Sequence, residues 1–271
     1  MKLIKSYNNM EFLNSPSARL IRILSEMIEP AARFNKYCIR DTVVFFGSAK
    51  TLPRREADAN LRKIEAKIKQ ARSPSAGLRA EHEQAERDVL MSNYYEDAVC
   101  LSEKLTRYFK TLKNRGKNFM VCSGGGPGIM AAANYGAKKA QGRSIGLNIS
   151  LPVEQYPNPH QTEELAFEFH YFFIRKFWFF YLAKALVVFP GGYGTLDEFF
   201  ELLTLIQTGK SKKRMSVILF GSDYWRQVIN FEKMVEWGTI SKEDLNLFRV
   251  VDNVDEAFEI LKNDLVKFGA G

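Results

Sequence analysis

The chain has 271 residues, 46% of them hydrophobic and 26% charged, which permits one large α/β domain or two small ones with ample material for a core. Its three cysteines, Cys38, Cys100 and Cys122, are widely separated, with no CxxC pair and no Cys/His cluster. Neither a disulfide framework nor a zinc site is supported, and a reducing compartment is the default. The start MKLIKSYNNMEF lacks the apolar core and small-residue cleavage site of a signal peptide. The densest apolar stretch, 167–192, holds Glu168, His170, Arg175, Lys176 and Lys184, which excludes a span of about 20 apolar residues. A cytoplasmic protein with no membrane partner is therefore expected. The net charge of +8 suits either nucleic acid or a phosphorylated small substrate, or is a basic surface without function. No nucleic-acid motif accompanies it, and Lys210, Lys212, Lys213 and Arg214 read as a solvated loop, so nucleic acid ranks last among the partners.

In chain order, residues 10–36 read as one or two helices interrupted around Pro30. A strand is predicted at 42–46 (TVVFF), followed by the polar turn Gly47-Ser48-Ala49. Residues 54–92 are rich in Ala, Glu, Lys and Arg and are broken at Ser73-Pro74-Ser75-Ala76-Gly77. They predict two helices joined by a turn, forming either a protruding interaction element or an extension of the first crossover helix. Further strands are predicted at 119–122, 144–149, 166–169, 185–189, 217–220 and 248–251. Between them lie helical patterns at 128–141, 172–183, 195–208 and 255–267. Most strands lack period-two alternation, as expected when both faces are buried in a parallel sheet. Alternating strands and helices make a doubly wound α/β sheet, read as a single domain over 1–271 with N-terminal helices (1–40) and a helical insertion (54–92).

Two glycine-rich loops each follow a predicted strand and open a predicted helix. The first is Ser123-Gly124-Gly125-Gly126-Pro127-Gly128-Ile129-Met130, and the second is Pro190-Gly191-Gly192-Tyr193-Gly194-Thr195. Free backbone N–H groups at a helix start suit an anion, and both loops are expected at the carboxyl ends of strands, where open α/β sheets bind ligands. Gly124, Gly125, Gly126, Gly191, Gly192, Tyr193, Gly194, Thr195 and Ser48 are therefore candidate phosphate or substrate contacts. There is no GxxxxGK[ST], which disfavours a P-loop nucleotidase, and no clean GxGxxG with its acidic partner, which disfavours a dinucleotide enzyme.

Charged residues cluster beside the second loop. Glu198 and Glu201 are i, i+3 on the following helix and are expected to share a face, with Asp197 pointing elsewhere. Acids favour helix starts, which accounts for Asp197. It accounts less well for Glu198, one turn from a phosphate loop. Arg175 and Lys176 begin an aromatic helix, FFIRKFWFFYLAK, where buried cations need partners. Arg175 is read as lying near Glu198, binding phosphate or positioning the carboxylate. Phe172, Phe173, Phe177, Trp178 and Tyr181 are read as core, and His170 as structural. No Ser/His/Asp arrangement or metal-ligand spacing appears, so no metal is expected.

These residues together resemble the Lonely-guy family, the cytokinin-activating phosphoribohydrolases and their bacterial relatives. Its signature PGGxGTxxE runs without gaps from Pro190 to Glu198, the Arg175-Lys176 pair lies upstream, and Gly124 to Met130 match its glycine loop. The FGSA turn at 46–49 fits the start of the family fold, and the resemblance covers most of 42–50 and 93–235. It implies a modified Rossmann fold, Glu198 as catalytic carboxylate with Arg175 as its partner, and the 191–195 loop as holder of a 5′-phosphate. Lys176 and Glu201 follow as substrate contacts. The implied reaction splits a nucleoside 5′-monophosphate into free base and ribose 5-phosphate without a cofactor, in a homodimer or larger assembly. Some relatives carry the label lysine decarboxylase, but the sequence gives no independent reason for pyridoxal phosphate. The 54–92 insertion, the long N-terminal extension and Ala131, where many bacterial relatives have glutamate, depart from the pattern. The competing reading is a non-catalytic nucleotide-binding or sensing protein of the same fold.

Overall fold

A computed structural model describes residues 3–113, 118–152 and 156–268. Its centre is a seven-stranded sheet: β1 (Asp41–Phe46), β2 (Phe119–Ser123), β3 (Ser144–Ile149), β4 (Ala166–Phe169), β5 (Ala183–Val188), β6 (Ser216–Phe220) and β7 (Arg249–Val251). The spatial order is β4-β3-β2-β1-β5-β6-β7 and every neighbouring pair is parallel. The chain moves outward from β1 to β4, then returns to lay β5 against the other side of β1. The direction of winding thus reverses between β1 and β5, and their carboxyl ends flank the crevice where such sheets bind ligands.

Burial on both faces explains the apolar strands. In β1, Val44 and Phe46 join one core while Val43 and Phe45 join the other; β5 divides likewise into Leu186 and Val188 against Ala185 and Val187. The first core is closed by α2 (Arg19–Lys36), which follows the short α1 (Met10–Asn14), and by α6 (Phe172–Tyr181), α7 (Tyr193–Gln207), α8 (Ser222–Val228) and α9 (Phe231–Glu236). The second is closed by α4 (Ala76–Lys113), α5 (Ile129–Lys139) and α10 (Val254–Phe268).

The helical insertion is a hairpin. Helix α3 (Arg54–Gln70) packs on the amino-terminal part of α4, with the Arg54 guanidinium donating to Asn93 Oδ1 at 2.8 Å and the Arg54 backbone N–H donating to Glu96 Oε1 at 3.0 Å. Helix α4 runs unbroken for 38 residues, about 57 Å, so the insertion extends the first crossover helix itself.

The expected break at Pro30 does not occur: α2 passes through it. A proline lacks the N–H that would bond the carbonyl four residues earlier, here Glu26. That carbonyl instead accepts from the Trp178 indole Nε1 at 3.0 Å. The Glu26 carboxylate caps the start of α6, accepting from the N–H groups of His170 (2.8 Å) and Tyr171 (3.3 Å). A proline that would weaken an isolated helix is accommodated by a tertiary donor. Among the described residues no helix is long and apolar enough to cross a membrane, and no group of His, Cys, Asp or Glu could hold a metal ion.

Candidate active site

Three loops meet at the carboxyl ends of β1, β2 and β5, and the first of them staples the other two. Ser48 N–H donates to the Pro190 carbonyl at 2.9 Å, and the Ser48 carbonyl accepts from Ile129 N–H at 3.1 Å. This packing leaves no room for side chains. A Cβ on Gly128, whose φ is +66°, would stand 2.2 Å from Ser48 O, and one on Gly191 would stand 2.2 Å from Thr195 Oγ1.

The two glycine loops are consequently unlike. The first N–H of α5, that of Ile129, is occupied by Ser48, and Gly125 N–H is taken by Ser123 Oγ at 3.1 Å. At the start of α7 the first bond within the helix runs from Leu196 N–H to Gly192 O. The N–H groups of Tyr193, Gly194 and Thr195 therefore have no acceptor inside the helix. Gly192 and Gly194 have open space where a Cβ would stand, so a ligand can approach that backbone closely. The amino end of α7 is the better anion cradle, and Thr195 adds a hydroxyl.

A cavity of about 470 Å³ opens at this point. Ser48, Lys50, Gly124, Gly192, Tyr193, Gly194, Thr195, Arg175 and Glu198 line its polar side. Phe46, Met130, Ile149, Leu151, Phe172 and Phe179 form an apolar wall. Glu198 is only 3% exposed, and its Oε2 has no hydrogen-bond partner. Burial pushes its pKa up to about 7, against the opposing pull of the Lys176 and Arg175 charges. Arg175 is also mostly buried, with Nε unpartnered, and burial lowers its pKa. Its guanidinium lies over the ring of Phe172, 5.1 Å from the centroid, and 5.6 Å from that of Phe179. Two buried polar groups facing one cavity, each with an unused atom, are equipped to bind something that enters it.

Other expected site residues lie elsewhere. Lys176 and Glu201 are outside the lining: Lys176 Nζ is 2.7 Å from Glu201 Oε2 and 2.7 Å from Asp197 Oδ2. The carboxylates that converge on one partner are thus the i, i+4 pair Asp197 and Glu201, while Glu198 turns into the pocket. Gly125, Gly126 and Gly191 stand behind the lining, shaping it through backbone packing. Of the aromatic residues expected in the core, Trp178 is buried, but Phe172, Phe173, Phe177 and Tyr181 are exposed. Helix α6 lies at the sheet's edge with one face covered by α2 and the core, so a sequence that is apolar all round leaves aromatic rings uncovered. His170 is exposed and outside the pocket, and the half-buried His82, beside Glu86, and His160, beside Tyr135, also lie outside it.

Sequence reasoning missed what holds the first glycine loop. The buried Asn158 side chain donates to the carbonyls of Gly125 (2.9 Å) and Gly126 (3.0 Å) and to Asn134 Oδ1 (3.0 Å). Gln161 Nε2 donates to Gly125 O at 2.8 Å, and Asn134 ties Ser123 to Ser144. The Pro157-Asn158-Pro159 stretch reads locally as an ordinary loop. The pocket walls at Phe46 and Ile149 could have been found, since they end β1 and β3 where ligands bind in this architecture.

A family described as "Possible lysine decarboxylase" matches residues 130–261, which include α6 and the whole PGGxGTxxE string. The chain is 27% identical over 147 residues to a cytokinin riboside 5′-monophosphate phosphoribohydrolase of Mycobacterium marinum, covering 52% of this chain and 74% of the relative. These matches agree with the resemblance to the Lonely-guy family that the sequence carries. The chain is also 34% identical over 74 residues to a rice (Oryza sativa subsp. japonica) protein named "Probable cytokinin riboside 5′-monophosphate phosphoribohydrolase", covering 27% of this chain and only 32% of that relative. A molybdenum cofactor carrier protein of Chlamydomonas reinhardtii is a structural neighbour at 18% identity and TM-score 0.47, over 84% of this chain and 99% of that one. The decarboxylase label would call for pyridoxal phosphate, which is carried on a lysine amine. Lys50, the lysine lining the cavity, is exposed at its edge, and Lys176 is tied between two carboxylates. The residues of this pocket do not fit that cofactor.

Proposed function

We propose that this chain hydrolyses the N-glycosidic bond of a nucleoside 5′-monophosphate, releasing free base and ribose 5-phosphate. The observation that carries the reading is Glu198: a buried carboxylate, one oxygen unpartnered, on a residue that lines the cavity opening on the amino end of α7. The 5′-phosphate accepts from the N–H groups of Tyr193, Gly194 and Thr195 and from the Thr195 hydroxyl, with the Arg175 guanidinium adding positive charge. The base lies against the wall formed by Phe46, Met130, Ile149, Leu151, Phe172 and Phe179. Phosphate binding at one end fixes C1′ near Glu198, converting binding energy into orientation. As the C1′–N bond breaks, its electron pair leaves with the base, which takes up a proton, and positive charge grows on C1′ and the ring oxygen. Ionised Glu198 stabilises that charge and accepts a proton from the water whose oxygen bonds C1′, as carboxylates do in glycoside hydrolysis. A nucleotide binder needs the helix end and the apolar wall but not an unsatisfied carboxylate. The exposed ring faces of Phe173, Phe177 and Tyr181 along α6 support assembly with a second copy, which sedimentation would measure.

The test is incubation of pure protein with AMP, GMP, CMP, UMP, IMP and an N6-modified AMP, with chromatography of released bases and Glu198→Gln alongside. Release that the variant lacks supports the reading. No release from any monophosphate, with binding intact by thermal shift, would overturn it in favour of a nucleotide-binding role.

A further inference from the structure

Lys176 is a largely buried cation beside the site that the reaction above leaves unused. Its side chain is 16% exposed, its ammonium spans Asp197 and Glu201, and it does not line the cavity. It follows Arg175 directly on α6, while Asp197 precedes Glu198 directly on α7. One ammonium therefore ties together the two helices that deliver the two buried charged groups of the pocket. We propose that Lys176 is a positioning residue whose clamp on Asp197 and Glu201 sets how Arg175 and Glu198 are presented to the substrate. The inference rests on the assignment of Glu198 as the working carboxylate.

Electrostatics follow from the same geometry. The charged groups acting on Glu198 are Lys176 and Arg175 from α6, which favour its ionised form, and Glu201 and Asp197 from its own helix, which oppose it. Lys50 lines the same cavity from the loop after β1. Lys176 is itself desolvated, yet its hydrogen bonds to Asp197 and Glu201 outweigh that cost and raise its pKa, so it stays charged at any working pH. Without it, buried Glu198 would face two nearby carboxylates, Asp197 and Glu201, with one cation fewer to offset them, and would hold its proton more tightly. The three-residue clamp supplies a cation that substrate does not displace, leaving Arg175 free for the ligand.

The experiment compares Lys176→Met, Lys176→Arg and the double variant Asp197→Asn/Glu201→Gln with the parent. The Glu198 carboxyl titration is followed by carbon-13 NMR, its signal assigned by loss in Glu198→Gln. Lys176→Met is expected to move that titration to higher pH by about one pH unit, the double variant to lower it, and Lys176→Arg to restore most of it. The acid limb of kcat/KM should move in parallel, about tenfold down at pH 6 for Lys176→Met. An unmoved titration in folded Lys176→Met overturns the proposal, as does a downward shift on removal of the cation. If Lys176→Met does not fold, the double variant decides alone by the direction of its shift. Because the NMR readout needs no turnover, a protein that cleaves no monophosphate sinks the hydrolase reading without touching this comparison.

Discussion

Replacing Glu198 by glutamine removes one proton-binding group and leaves the shape of the site nearly unchanged. In the folded protein burial holds the Glu198 pKa at about 7 against an ordinary value of 4.5. A carboxyl whose folded pKa is raised binds its proton more tightly in the native state than in the unfolded one. Its cost to stability is absent well below pH 4.5, grows between the two values and is complete above pH 7. For the two pKa values the cost is about 1 kcal/mol at pH 5 and about 3 kcal/mol at pH 8. The neutral amide mimics the protonated acid, so Glu198→Gln should gain about that much at each pH. Urea unfolding of both proteins at pH 5 and pH 8 measures it, provided the two slopes agree. An equal difference at both pH values, or a variant less stable than the parent at pH 8, would refute the picture of an unpartnered buried carboxylate. A gain confined to high pH would instead show a residue retained against the stability of the fold, as expected where the carboxylate serves chemistry.

Activity should rise with pH along a single acid limb centred near pH 7 in kcat/KM, because the proposed reaction uses the ionised form of Glu198; a pH-independent rate from 5.5 to 8 would contradict this. Arg175→Met should lower kcat/KM by roughly a hundredfold or more with the fold intact by circular dichroism, and activity within twofold of the parent would remove Arg175 from the site. Gly125→Ala should destabilise by about 2 kcal/mol or more in thermal melts, since its φ is +72° and a Cβ would stand 2.2 Å from Asn148 Oδ1. Trp178→Phe should cost about 1–3 kcal/mol by stranding the Glu26 carbonyl. In a Pro30→Ala background, where residue 30 regains its N–H, that cost should shrink, whereas an equal cost in both backgrounds would disprove the compensation.

Much of the architecture is legible locally because parallel strands buried on both faces must be continuously apolar. That pattern located all seven strands within about two residues, and the glycine loops marked which strand ends matter. The boundary between α6 and β5 is harder to read, since FWFFYLAKALVVF is apolar but for Lys184, and helix gives way to strand at Tyr181–Ala183, where β5 pairs with β1. Exposure of Phe172, Phe173, Phe177 and Tyr181 had no local signal, as hydrophobicity does not say which side of a helix the sheet will cover.

Within the site, the sequence by itself determined the chemistry on offer: an uninterrupted PGGxGTxxE string, an arginine-lysine pair and two strand-to-helix glycine turns. Residue type and short-range spacing suffice for that, because a helix start and its i, i+3 and i+4 neighbours are local geometry. Tertiary structure decided how the charges divide. It turned Glu198 into the cavity and Asp197 and Glu201 onto Lys176, tied the first N–H of α5 to Ser48, and gave the Glu26 carbonyl, which Pro30 leaves without its helical donor, a partner in Trp178. Each of these depends on groups brought together from distant parts of the chain, and burial, which sets the Glu198 pKa, is a property of the packed whole.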